Sequence, residues 1–455
     1  MYVPGSPHRR AASFTPLSTD SETDPTERIQ NAVDTVFRHG GGEVAIPEGD
    51  WEIGTVRLRS NVTLHLLENA HLLGSRETEK YCYCEKSGLE PIAGTDCTDA
   101  LWEPWNVRKN YDFMSKPMSR WNRGLIRAVD AVNLAIIGEN GSLIDGRDCY
   151  DELGEEYYRG PHAVNLHRCE NILLKGYAVQ NSANWAHALF DCRNLRAENI
   201  TVRAGHDGIH LTSCDNVIIQ NCDFRTGDDC VAGIDNRNVE VSGCRLNTAC
   251  SGMRFGGTNV TVSDCVFYGP ASYRFRGSLS AEEKKNSAPS GESGGGMLSA
   301  FTYYADFSRP IRETPGNILI CNCEFRNTDR FLHYNFSGNE PWQRNKPLDS
   351  VVFRNIRAEG IRLPLTFWGA AEQKGNLTLQ NIRVSFAKGA DCALLYLGNY
   401  GTVLLEHLTA EHLGGTCLIR KWTDDGVVRI RDCNCIGFDG VMEESATEPF
   451  ACRAF

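Results

Sequence analysis

Several things are scarce in this chain, and each scarcity excludes something. No apolar run approaches the roughly 20 residues that a membrane-spanning helix requires. Basic residues are outnumbered, 47 Lys and Arg against 58 Asp and Glu, for a formal net charge of -11. No basic patch stands out that would hold nucleic acid. The first residues, MYVPGSPHRRAASF, lack the apolar core of an export signal. The expectation is a cytoplasmic protein, or a secreted one whose leader has been removed, with neither a membrane nor a nucleic acid as partner. An acidic chain can still hold an anionic substrate, because a site needs only local positive charge.

Cysteine is plentiful. There are 19, an odd number, spread along 455 residues, whereas disulfide scaffolds are short and cysteine-dense. Cys222, Cys244, Cys265 and Cys323 fall at matching places in a repeat and read as small apolar filler in a stacked core. Cys82-x-Cys84, Cys321-x-Cys323 and Cys433-x-Cys435 have one-residue gaps, and no histidine cluster completes a zinc spacing. No metal and no organic cofactor are expected.

The repeat is the dominant feature. A phrase opening on Asn, followed by alternating apolar residues, recurs as NILLKGYAV from Asn171, NLRAENITV from Asn194, NVIIQNCDF from Asn216, NVEVSGCRL from Asn238, NVTVSDCVF from Asn259 and NILICNCEF from Asn317. The first five begin 23, 22, 22 and 21 residues apart. Looser copies start at Asn61, Asn133 and Asn376. Period-two alternation with β-branched residues marks strands, and the Gly, Asn and Asp between them mark bends. The L-x-x-L-x-L spacing of a leucine-rich repeat is absent, which leaves a right-handed parallel β-helix. The whole chain, 1–455, is expected to form one such domain, because a solenoid grows without a new core. Pro25 to Arg38 reads as an amphipathic helix that caps the open end. Two insertions, about 81–122 and 277–315, interrupt the repeat. The first carries Trp102, Trp105 and Trp121, and both are long enough to wall off one end of a cleft. A surface excursion or a contact with a second subunit would use them as well, and oligomeric state stays open.

Positions one coil apart share a face. Stepping by 21 to 23 residues places His162, Trp185, Asp207, Asp228, Ser251 and Arg274 in one expected column, with Arg276 beside Arg274. A single Asp at such a place is more often a turn former. Several at one-coil spacing, about 5 Å apart at their backbones, resemble the acid and base pair of glycoside cleavage. Asp228 and the adjacent Asp229 serve one site only if the backbone bends between them.

These residues resemble glycoside hydrolase family 28, the polygalacturonases and their relatives, over roughly residues 25 to 277. GGGEVAIPEGDWEIGTVRLRSNVTLHLLENAHLLGS is similar to the family's opening, IDGRD from Ile144 to its Ile-Asp-Gly motif and NSANWAHALFDC from Asn181 to its Asn-Ser-x-x-Trp segment. Gly205-His206-Asp207 corresponds to the Asn-Thr-Asp motif and Gly227-Asp228-Asp229 to the Gly/Gln-Asp-Asp motif. The resemblance implies inversion, with Asp228 as general acid and Asp207 and Asp229 activating water. Inverting carboxyl pairs stand roughly 6.5–9.5 Å apart.

Two departures affect the substrate. Cys250-Ser251-Gly252 replaces Gly-His-Gly, and Arg274-Phe275-Arg276 replaces Arg-Ile-Lys, a guanidinium for an ammonium. His187 lies one residue before the family's histidine, a shift that turns a strand residue to the other face. The expected substrate-facing residues are Arg274, Arg276, Trp185, His162, His187, His206, Ser251 and Arg254. The expected activity is exo-cleavage of short uronic-acid-containing, pectin-type glycans. A neutral or rhamnose-containing glycan, a lyase reaction, and a non-catalytic carbohydrate-binding β-helix are the competing readings.

Overall fold

The computed structural model describes residues 14–16, 23–81, 120–286, 296–305, 312–336, 346–412, 414, 416–423 and 426–444. Most of the 81–122 insertion, with Trp102, Trp105, Cys82 and Cys84, lies outside them, as does much of 277–315. The chain divides into two compact units, Met1–Asp228 with Tyr273–Gly291, and Asp229–Ser272 with Glu292–Phe455.

The first unit is built of three parallel ladders. One carries Gly124–Val129, His162–His167, His187–Phe190 and Ile209–Thr212. The second carries Val132–Gly138, Glu170–Lys175, Arg193–Glu198 and Asp215–Gln220. The third carries Leu143–Asp145, Ala178–Gln180, Thr201–Ala204 and Asp223–Thr226. Each coil thus has three short strands, and each strand pairs with its counterpart one coil on. This is the right-handed parallel β-helix expected from the repeat, the hand that right-twisted strands impose on parallel crossovers. Apolar residues stack inward in register. Ile172, Leu195 and Val217 form one row, and Leu174, Ala197 and Ile219 another, all 3% exposed or less.

The second unit repeats the plan with longer strands. Val231–Ser242 pairs in parallel with Ser251–Ser263, which pairs with Ser299–Tyr303 and Gly316–Cys321. Later coils run through Ser350–Ile361, Gly375–Phe386 and Tyr400–Glu411.

The asparagine that opens each phrase bends the chain. Asn133, Asn171, Asn194 and Asn216 all adopt left-handed φ between 55° and 58°, a conformation that Asn tolerates better than most residues. Their side-chain amides form a ladder. Asn171 donates to Asn133 at 2.9 Å, Asn194 to Asn171 at 3.0 Å and Asn216 to Asn194 at 3.0 Å. In the second unit Asn259 donates to Asn238 at 3.1 Å and Asn317 to Asn259 at 2.7 Å.

The helix falls at Pro25–Arg38, as expected. Asp24 caps it, accepting from the Thr26 amide at 2.7 Å, and Pro25 needs no amide partner there. Ile29, Ala32, Val33 and Val36 are buried against the first coil. The cysteines fill the core as expected. Cys222, Cys244, Cys265 and Cys323 are buried free thiols, and Cys265 Sγ donates to the Ser263 carbonyl at 3.1 Å.

Asn194→Ala removes two rungs and the residue best suited to the bend. It should cost about 1–2 kcal/mol and lower the thermal midpoint, with Asn194→Gly recovering part of the loss. Unfolding scans that place Ala and wild type together would show the ladder to be without energetic weight.

Candidate active site

Two glycine-led bends close adjacent coils of the first unit. Gly205-His206-Asp207 follows Thr201–Ala204, and Gly227-Asp228 follows Asp223–Thr226, with Ala204 paired to Thr226. Both glycines lie under the segment from Arg274 to Arg276. A Cβ on Gly227 would meet the Arg274 carbonyl oxygen at 2.0 Å, and one on Gly205 would meet Arg276 Cβ at 3.0 Å. The Arg276 amide donates to the Gly205 carbonyl at 2.9 Å.

This register corrects the expected column. Ala204 opposite Thr226 is a step of 22, so Asp228 stands level with His206. His162, Trp185 and Asp207 do fall in line, because Val164 pairs with His187 and His187 with Ile209. Within the second unit Asp229, Ser251 and Ser299 form a line of their own, since Val231 pairs with Met253 and Ser251 with Ser299. Arg274 is not on it. The segment that carries it leaves the repeat, and the next coil is supplied by Ser299–Tyr303.

Asp207 is 1% exposed. His210 Nδ1 lies 2.9 Å from its Oδ2 and is itself fixed by Trp185, whose ring stacks on the imidazole at 3.6 Å and 2°. Asp228 is more open, with 16% of its side chain exposed. Carboxylate oxygens of Asp207 and Asp228 come within 4.8 Å of each other. This close approach reflects the spacing of adjacent coils. Arg159 lies beside Asp228. Buried, it lies 4.0 Å from Asp228, 3.1 Å from Glu156 and 3.8 Å from Glu155, and donates to Asn184 at 3.3 Å.

Asp229, the first residue of the second unit, is also buried. Arg254 Nε stands 2.8 Å from it, and the Ser251 amide donates to it at 3.1 Å. Arg254 lies over the Tyr304 ring at 4.4 Å. Ser251, which takes the place of the family's histidine, donates its hydroxyl to Thr302 at 3.1 Å.

Several expected substrate-facing residues are turned inward. His162 and Trp185 are 0% and 5% exposed, because Trp121 packs edge-on against both rings. They support the site from beneath and offer no sugar platform. His206 is fully buried, stacked on Tyr158 at 5.9 Å. Burial and the Arg159 charge push its imidazole well below the usual range, so it stays neutral. His187 lies on the core face, as its one-residue shift implies, between the Tyr177 hydroxyl and the Gly208 carbonyl, each 3.0 Å away. Arg276 is buried too, 3.4 Å from Asp148 and donating to the Lys284 carbonyl at 2.9 Å. Arg274 is partly exposed, beside Glu283 at 3.6 Å. The two arginines therefore do not share a strand face, since Arg276–Ser278 is a turn of 3₁₀ helix. His210 and Arg159 were missed. The signal for the first was a second histidine three residues after Asp207, and for the second an arginine three before His162.

Known proteins share part of this sequence and its fold. Residues 113–264 match the family model of glycosyl hydrolases family 28. A probable polygalacturonase of Vitis vinifera is 27% identical over 236 residues, 47% of this chain and 41% of that one. An exo-poly-alpha-D-galacturonosidase of Dickeya chrysanthemi is 24% identical over 243 residues, 47% of this chain and 39% of that one. The chain thus spans less than half the length of these two relatives. The solved structure of a hyperthermoactive exopolygalacturonase from Thermotoga maritima covers 88% of this chain and 93% of its own at a TM-score of 0.58 and 17% identity, a likeness of fold.

Two outcomes test this arrangement. Gly227→Ala puts a methyl group into the Arg274 backbone and should displace Asp228, so that any activity falls at least as far as in Asp228→Asn; retained activity would show that the bend tolerates a side chain. Burial holds the His187 imidazole down at about 4, against 6.5 for a free one. Between those values the unfolded chain binds the proton and the folded chain does not. Stability present above pH 6.5 is therefore lost as pH falls toward 4, by roughly 3 kcal/mol for this residue alone. The thermal midpoint of His187→Gln should fall less steeply over that interval than that of wild type.

Proposed function

We propose that this chain is a glycoside hydrolase that cleaves uronic-acid-containing, pectin-type glycans. The observation that carries the reading is the pair Asp207 and Asp228, one buried and oriented by His210, the other partly open to solvent, with carboxylate oxygens within 4.8 Å. Asp228 would give a proton to the glycosidic oxygen, its partial exposure supporting that role. Asp207 is the base or nucleophile of the pair, and Asp229, next in the chain, assists it through the role that the family resemblance implies. The names of the Dickeya relative and the Thermotoga neighbour support exo-cleavage, with release of terminal sugars.

The stereochemical course follows from where the water sits. A water held and deprotonated by Asp207, opposite the acid, would give inversion. Inversion is the course proposed here. A second reading, hydrolysis of a neutral or rhamnose-containing glycan, is favoured by one observation. Arg276, the expected partner for a uronate, is committed to Asp148.

Incubation with oligogalacturonates and with neutral pectic oligosaccharides, with the product anomer followed by NMR, tests all of this. The expected result is monosaccharide release from the acidic substrates with inverted configuration. Retention would make Asp207 the nucleophile, and cleavage of neutral substrates alone would establish the second reading. Asp228→Asn should lower kcat at least ~100-fold with the fold intact. Near-normal turnover in that variant would remove Asp228 from the mechanism.

A further inference from the structure

Nearly every cation around the aspartates has a carboxylate of its own. Arg159 is held by Glu155 and Glu156, Arg276 by Asp148, Arg274 by Glu283, Arg254 by Asp229 and Lys285 by Glu152. Lys284 differs. It lies on the short helix Ala281–Lys285, and its ammonium forms no ion pair among the described residues. Its Nζ sits 4.1 Å from the centre of the Tyr158 ring. An aromatic face attracts a cation without neutralising it.

The placement is fixed from both ends. The Lys284 carbonyl accepts from buried Arg276 at 2.9 Å, and Ser280 and Glu283 close a capping box at the start of the helix. Tyr158 is 2% exposed, with its hydroxyl donating to Glu156 at 2.7 Å and its ring stacked on His206, the residue before Asp207. The Asp228 charge is felt at Tyr158, and the Lys284 charge at His206. Glu156, the carboxylate nearest in effect to Lys284, already serves Arg159 and Tyr158.

We propose that Lys284, and not Arg276, is the cation that binds the carboxylate of an acidic sugar at the site of Asp207 and Asp228. This rests on the hydrolase reading for its substrate class. It also resolves the loss of Arg276, because a neighbouring residue supplies the missing charge from outside the Arg-Phe-Arg segment. An ammonium on a flexible stem, held on a ring face, can reach a carboxylate without breaking an existing pair.

The test reads binding, so that turnover is not required. Calorimetry compares digalacturonate with its methyl ester on wild type, Lys284→Met, Lys284→Arg and Lys285→Met. Lys285→Met makes the same change of net charge one residue away, at a residue paired with Glu152. Wild type should prefer the acid. In Lys284→Met the acid-to-ester affinity ratio should fall at least ~10-fold, as expected for loss of a charged hydrogen bond. Lys284→Arg should keep most of the ratio, and Lys285→Met should match wild type. An unchanged ratio in Lys284→Met, or an equal fall in Lys285→Met, would overturn the proposal. Binding with this pattern but no cleavage would reject the hydrolase reading and leave Lys284 as the acid-binding residue. Failure of wild type to bind either ligand would reject both.

Discussion

Everything at the candidate site depends on one constraint, the in-register pairing of each coil with the next at about 4.8 Å. That spacing puts carboxylates from different turns of the chain against each other without any loop having to reach across. It also leaves the pair little freedom to separate. The asparagine ladder maintains the register. An amide at a left-handed bend donates to the coil before it and accepts from the coil after it. A slip of one residue would break the rungs and turn the Ile172, Leu195 and Val217 row toward solvent.

A carboxylate buried in such a stack is costly unless it is paired. The first unit meets this with Arg159 and His210, the second with Arg254 and the Ser251 amide. The same rule explains where the other charges went. Arg276 is 1% exposed and takes Asp148 as its partner. Asp148 is itself pushed up to about 6 by burial, against the pull of that arginine. A side chain committed in this way holds the segment from Arg274 to Arg276 on Gly205 and Gly227, and so shapes the floor of the site.

Aromatic residues serve the same end. Trp121, Trp185 and His162 pack against one another beneath the aspartates, and Trp185 fixes His210 by stacking. Their surface is spent on rigidity. The cation proposed for recognition, Lys284, lies on the helix Ala281–Lys285 and forms no ion pair among the described residues.

The parallel coil, the helix at Pro25–Arg38, the burial of the cysteines and the candidate aspartates were all legible in the chain itself. Each is a local pattern, an Asn at every bend, apolar residues at period two or 3.6, or a Gly-Asp turn recurring once per coil. His187, expected to face the substrate, lies on the core face instead, in keeping with its position one residue out of step. What periodicity could not decide was the step between Asp207 and the next coil. Counting 21 or 22 residues is equally plausible in a repeat that varies from 21 to 23, and only the pairing of Ala204 with Thr226 places Asp228 beside His206. Nor could it show that Trp121 covers Trp185, that Asp148 claims Arg276, or that Lys284 forms no ion pair among the described residues. Those contacts join residues 64, 128 and 126 positions apart, Trp121 to Trp185, Asp148 to Arg276 and Tyr158 to Lys284. All three involve a segment outside the repeat, where no period carries information, so tertiary packing alone decided which charges are paired and which, among the described residues, are not.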